Sequence, residues 1–265
     1  MKKFLAVLVG ALLAAVFAAG PANAQDDATI MLLHGIPDTD VDVLAGGEAA
    51  IEGFSFGDMQ DLSALAGQTL PGLQVVLAGT DTVAIDAGDV ALPAAGNFTI
   101  VAHLDAEGTP TISVFENDVS NTAAGEGRIV VRHTAAAPEV DVLANGAVAF
   151  AAVPNGAEGA LDLAAGTITA EVVPAGASEP VVIGPADLPI AEGASLIVYA
   201  VGSLECETLT VLTQSITGLQ SAPETVNTGN SPVNEGAANT GLIAAAVIGM
   251  AIVGAGSFRL ATRQR

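Results

Sequence analysis

The chain repeats itself. Ile30-Met31-Leu32-Leu33-His34 reappears as Ile129-Val130-Val131-Arg132-His133, and Val41-Asp42-Val43-Leu44-Ala45 as Val140-Asp141-Val142-Leu143-Ala144, both at an offset of 99 residues. Gly47 and Gly146, Gly57 and Gly156, Leu62 and Leu161, and Ala66-Gly67 and Ala165-Gly166 keep that offset. After a two-residue adjustment, offset 97 aligns Val75-Val76 with Val172-Val173, Ala78-Gly79 with Ala175-Gly176, Gly96 with Gly193, and Ile100-Val101 with Ile197-Val198. Self-similarity at one fixed period signals tandem copies of a single structural unit. Whatever this chain folds into must therefore be buildable twice.

Each copy reads as β structure. Residues 30–34, 40–44, 73–77, 98–103 and 111–115 are short runs, β-branched or alternating, separated by clusters of Gly, Pro, Asn and Asp. Asp40-Val41-Asp42-Val43 alternates polar and apolar, as a strand with one buried face does. No stretch between residues 25 and 240 keeps a long helical period. The expected fold class is all-β, with two tandem antiparallel β-sandwiches over residues 25–126 and 127–220.

The two chain ends are different in kind. Lys2 and Lys3 precede an uncharged apolar run over residues 4–19, Gly20-Pro21 breaks it, and Ala22-Asn23-Ala24 supplies the small residues that a signal peptidase accepts. Residues 1–24 are expected to be a signal peptide cut after Ala24. Residues 241–258 carry no charge and are followed by Arg259, Arg263 and Arg265. That length meets the lower bound for a transmembrane helix, and the arginines place the tail of residues 259–265 on the cytoplasmic side. Residues 221–240 are rich in Pro, Asn, Thr, Gly and Ser and read as a flexible stalk. Ala237-Ala238-Asn239-Thr240-Gly241 resembles the Leu-Ala-x-Thr-Gly sorting signal, with Ala237 in place of Leu. A sortase reading it would cut between Thr240 and Gly241 and join the chain to the cell wall. The expected location is extracytoplasmic, at a bacterial cell surface, held by the membrane or by the wall.

Charge and composition exclude several classes. All 29 carboxylates lie between residues 25 and 240, against Arg128 and Arg132 alone, a net charge of −27 for that segment. Nucleic-acid binding needs basic surface and is excluded. Both lysines sit at positions 2 and 3, so the body holds neither a P-loop lysine nor a Schiff-base lysine. The single Cys206 excludes a thiolate zinc site and a disulfide framework, and its neighbours Glu205 and Glu207 disfavour a thiolate nucleophile.

The pattern His34…Pro37-Asp38…Val41-Asp42-Val43…Gly47, repeated as His133…Pro138…Val140-Asp141-Val142…Asn145-Gly146, resembles the DUF4397 domain family. The resemblance extends over residues 28–219, through Ala66-Gly67, Ala165-Gly166 and the run Leu196-Ile197-Val198-Tyr199-Ala200-Val201-Gly202. It implies a transthyretin- or immunoglobulin-like sandwich outside the cytoplasm, and brings no activity with it. The first copy departs from the family at Gly35-Ile36, and the second carries Thr134-Ala135-Ala136-Ala137 before its proline.

His34 and His133, with Asp42 and Asp141, are the candidate site residues. Two readings stand side by side: each imidazole ties its turn to the next strand, or each His/Asp pair holds a metal ion or small polar ligand, or exchanges protons with one. His103 has no counterpart, Ala200 falling opposite it at offset 97, which places it at a strand end or on the surface. Asp38-x-Asp40-x-Asp42 alternates like a strand and lacks the distal glutamate of a calcium loop. Gly53-Phe54-Ser55-Phe56-Gly57 superficially matches a nucleophile elbow, yet no helix pattern follows it and Pro154 replaces the serine in the second copy. The body holds no Trp for stacking on sugars. The expectation is a non-catalytic surface protein without a cofactor, adhesive, envelope-structural or ligand-presenting, engaging an extracellular ligand or protein. A metal or polar-ligand module is the alternative, and a secreted hydrolase comes third.

Overall fold

The computed structural model describes residues 28–220, and apart from one 3-10 turn at Ser63–Leu65 its regular structure is all strand. The first half runs β1 (Thr29–His34), β2 (Val41–Ala45), β3 (Glu48–Phe54), β4 (Met59–Asp61), β5 (Thr69–Leu77), β6 (Val83–Ala91), β7 (Asn97–Leu104) and β8 (Pro110–Glu116). The second runs β9 (Glu126–His133), β10 (Val140–Ala144), β11 (Ala147–Val153), β12 (Glu158–Ala164), β13 (Gly166–Pro174), β14 (Ile183–Ile190), β15 (Ala194–Val201) and β16 (Thr210–Thr217). The signal peptide with Ala22 and Ala24, the stalk, residues 241–258 and the pair Thr240 and Gly241 lie outside the described residues. Among the described residues no helix is long and apolar enough to cross a membrane.

Both halves are sandwiches of two four-stranded sheets. The first packs β4-β1-β7-β8 over β3-β2-β5-β6, and the second packs β12-β9-β15-β16 over β11-β10-β13-β14. Subtracting eight from each label of the second half returns the first, so the internal repeat is a repeat of topology. The sheets are not purely antiparallel, as the sequence reading expected. β1 runs parallel to β7, and β9 to β15, while every other pairing between these strands is antiparallel. The chain crosses to the opposite sheet twice, for β2-β3 and again for β5-β6, before it lays β7 beside β1. Alternation in sequence encodes which face is buried and says nothing of strand direction, which is why this pair was not legible.

The register also corrects the alignment. Leu32 pairs with Ile100 and Val131 with Val198, so Ile100 corresponds to Val198 and Val101 to Tyr199, an offset of 98. A shift of one residue exchanges the two faces of a strand. Ile100 and Val198 accordingly point into the two sandwich cores, whereas Val101 and Tyr199 share a third cluster. At this register His103 stands opposite Val201.

That third cluster joins the halves. Leu33, Val101 and Phe115 from the first sandwich pack with Val130, Ile197, Tyr199 and Val201 from the second. Sheet β4-β1-β7-β8 is thus covered on both faces, by β3-β2-β5-β6 on one and by β12-β9-β15-β16 on the other. Strands buried on both faces read as continuous apolar runs, which accounts for residues 30–33, 100–102, 129–131 and 196–201. The outer sheets alternate, as Val41-Asp42-Val43 shows with its two valines buried.

Candidate functional site

The two repeated histidines hold the turns that follow β1 and β9. The His34 Nε2 donates to the Thr39 carbonyl at 2.7 Å, and its Nδ1 accepts the Ile36 N–H at 3.4 Å. Its ring stacks on Phe54 at a centroid distance of 5.5 Å. The His133 Nε2 donates to the Pro138 carbonyl at 3.0 Å, again five residues downstream. Burial holds both imidazoles below their ordinary pKa, so both are neutral donors to a carbonyl rather than cations.

The repeated aspartates are clasps. Asp42 accepts the Gly53 N–H at 2.7 Å on Oδ1 and the Gly79 N–H at 3.2 Å on Oδ2. Asp141 accepts the Ala152 N–H at 2.7 Å and the Gly176 N–H at 2.9 Å in the same way. One carboxylate thereby ties its own strand to the neighbouring edge strand and to the turn after the strand on its other side. Gly53 and Ala152 have φ of 62° and 49°, and Gly79 and Gly176 of 71° and 74°. These left-handed residues turn their N–H groups off the sheet ladder, and the aspartate supplies the missing acceptors. The two N–H donors hold the Asp141 carboxyl below the usual carboxylate range.

His34 and Asp42 do not form a site with each other. The charges that act on His34 are those of Asp40 and Asp58. Among the described residues no group of three His, Cys, Asp or Glu side chains is placed to hold a metal ion. Ser55 lies in the turn between β3 and β4, its N–H donating to Asp58 Oδ2 at 3.0 Å, and no helix follows it. Cys206 is exposed.

His103 stands at the end of β7, one of the two placements expected of it, but is buried, 1% exposed, which corrects the other placement on the surface. Its Nδ1 donates to the Leu104 carbonyl and its Nε2 accepts from the Ser113 hydroxyl, both at 2.8 Å. It faces the second sandwich, where no repeat-based comparison could place it. The arginines are the other residues that sequence reasoning passed over. Arg132 is 1% exposed and lies with its Cζ 4.4 Å from the Phe115 ring centroid. It donates to Glu158 at 2.7 Å, Tyr199 Oη at 2.8 Å and Asn117 Oδ1 at 2.8 Å. The Asn117 amide continues to Thr99, and Thr99 and Tyr199 both donate to Gln214. Arg128 makes a two-pronged bond to Asp162 at 2.7 and 3.1 Å and reaches Asp118 at 2.8 Å. Their spacing in Arg128-x-Val130-x-Arg132 sets both on one strand face, a signal present in the sequence. With both arginines and all three histidines buried, the described surface shows charge of one sign only.

A concavity lies apart from all of these. An apolar cavity of about 490 Å³ opens inside the first sandwich, lined by aliphatic side chains such as Leu32, Val43, Leu70, Val75 and Ile112 with Phe54. Its polar lining residues are Gln60 and Asp61 on β4. The corresponding space in the second sandwich, around Val131, Val142, Val172 and Val198, is about 30 Å³. Strand pairing aligns Ile51 with Phe150, opposite Val43 and Val142 respectively. Phe150 lies against Gly159, where the first half has Gln60.

Residues 28–143 match the DUF4397 domain, a domain of unknown function. The match takes in the whole first sandwich and ends at Leu143 on β10, past the second Val-Asp-Val. Within the matched residues His34 holds a turn, Asp42 is a clasp and Gly47 lies in the turn between β2 and β3. No curated protein matches the chain.

Proposed function

We propose that this chain is a non-catalytic surface protein whose paired sandwiches present a ligand-holding body outside the cell. The observation that carries the reading is the use of every repeated polar signature within the fold: His34 and His133 on turn carbonyls, Asp42 and Asp141 on backbone N–H groups. Groups so engaged are scaffolding, and what is left for recognition is a carboxylate-bearing exterior around one apolar cavity. The leader-like residues 1–24, the stalk-like residues 221–240 and the apolar residues 241–258 with their basic tail support display on a membrane, or on a wall if Thr240-Gly241 is cut. An exterior whose charges are all acidic keeps such a body soluble and apart from its neighbours.

Protease shaving of intact cells that make the full chain tests display. Peptides from residues 28–220 are expected in the supernatant while a cytoplasmic marker stays inside. Retention of those peptides until the cells are lysed contradicts the reading.

A further inference from the structure

We propose that the cavity of the first sandwich is a binding site for a neutral apolar small molecule, an alkyl or isoprenoid chain of on the order of fifteen to twenty carbons. The inference deepens the ligand-presenting reading and rests on it.

Size comes first. A cavity of about 490 Å³ falls within the range of small-molecule pockets, and is about three times the ~150 Å³ that accommodates one benzene. Away from Gln60 and Asp61 at the rim, its walls are apolar side chains from both sheets, which recognise shape and apolar surface and offer no partner to a polar body.

The second sandwich shows that this topology does not require the cavity. The same strand order there leaves about 30 Å³. One difference between the halves is a pair of substitutions across the open edge of the sandwich. Where β11 and β12 carry Phe150 against Gly159, β3 and β4 carry Ile51 and Gln60. A ring fills the second core, and the absence of a Cβ at residue 159 makes room for it. The first half has neither the ring nor the glycine.

The entrance is built as well. β12 pairs with β9 over seven residues, but β4 ends after three, and the chain turns away through Ser63–Leu65. Asp61 fastens this turn by accepting the Ser63 N–H at 2.8 Å, and the Ser63 hydroxyl accepts the Ile30 N–H at 3.0 Å. Leu62 and Leu65 from the turn line the cavity beside Gln60 and Asp61. Asp61 is exposed at this rim, and no arginine, lysine or histidine is exposed anywhere on the described surface. An anionic head group would meet a like charge and find no cation, whereas a hydroxyl could bond to Gln60 or Asp61. The rim therefore selects neutral over anionic chains.

Photolabelling of the full chain with a diazirine-bearing decanol, and in parallel with the matching decanoate, reads the site residue by residue. The decanol is expected to label the peptides of β2, β3 and β5 at least about tenfold over those of β10, β11 and β13, since each methylene taken out of water contributes roughly fourfold in affinity. Decanoate is expected to label the first set several-fold less. The double variant Ile51→Phe, Gln60→Gly, which gives the first sandwich the ring and the space that the second has, should bring its labelling down to that of the second without lowering the melting temperature. Phe150→Ile, which opens the other core, should raise labelling there. Equal labelling of the two sandwiches, labelling unchanged by the Ile51→Phe, Gln60→Gly double variant, or decanoate equal to decanol would overturn the proposal. Shaving of intact cells reads display without reference to the cavity, so failure of one experiment leaves the other interpretable.

Discussion

The guanidinium of Arg132, on the second sandwich, stacks over the ring of Phe115, on the first, at 4.4 Å. It is the centre of a polar network inside an otherwise apolar seam. Charge, ring and hydrogen bonds are all satisfied there, the condition under which a buried cation is tolerated. The carboxylate partner, Glu158, keeps a side-chain exposure of 37%.

Replacing Arg132 with Met keeps the volume and removes the charge. The loss is expected to be about 3 kcal/mol, the lower end for breaking a buried ion pair, because Glu158 can recover water. Asn117 and Tyr199 lose their partner together, so the seam should weaken before either core. Urea unfolding should shift to lower midpoint and separate into two transitions, one per sandwich. A single unshifted transition is the opposing result.

Asp42→Asn and Asp141→Asn test the clasps. An amide can present only one oxygen, so each variant should leave one of the two N–H donors unbonded. We expect the melting temperature to fall by roughly 3–8 °C in each, through loss of a charge-assisted bond. The Asp141 carboxyl is held below its ordinary 3.8, so its contribution is present above that value and is lost as the pH falls through the folded-state value. The Asp141→Asn deficit should accordingly shrink in acid. An effect confined to ligand binding, with no change in melting, would contradict the assignment.

The histidines give a pH signature. Burial lowers all three folded-state values below 6.5, so each imidazole is neutral in the folded chain where it would already be protonated when unfolded. Their contribution is intact above 6.5 and declines as the pH drops below that value toward the folded ones. Proton NMR of the imidazole Cε1–H groups should show all three resonances titrating below 6.5. A resonance titrating above 6.5 would mean that a carboxylate pairs with that ring.

Much of this was legible in the residues. The repeat, the β class and the strands at 30–34 and 98–103 follow from spacing and β-branched content, and the DUF4397 match covers the first sandwich. What stayed hidden depends on pairing. β3 and β4 are mostly exposed edge strands and β6 is a half-buried one, with sequences such as Val83-Ala84-Ile85-Asp86-Ala87-Gly88 that give little periodic signal. The parallel β1–β7 pair leaves no trace in alternation. The seam was masked because Leu33, Val101 and Tyr199 look like ordinary core residues until the register shows that they point away from their own cores. The cavity lies in a comparison, Ile51 with Phe150 and Gln60 with Gly159, that becomes meaningful only when the two edges are seen to face each other.

The central claim is that the repeated histidines and aspartates fasten turns and hold nothing else. Thermal melting of the full chain with and without excess zinc or calcium tests it most directly, because a metal bound by the folded state raises the melting temperature by mass action. We predict an unchanged melting temperature with either ion. A rise that disappears in the His34→Asn, His133→Asn double variant would contradict the account.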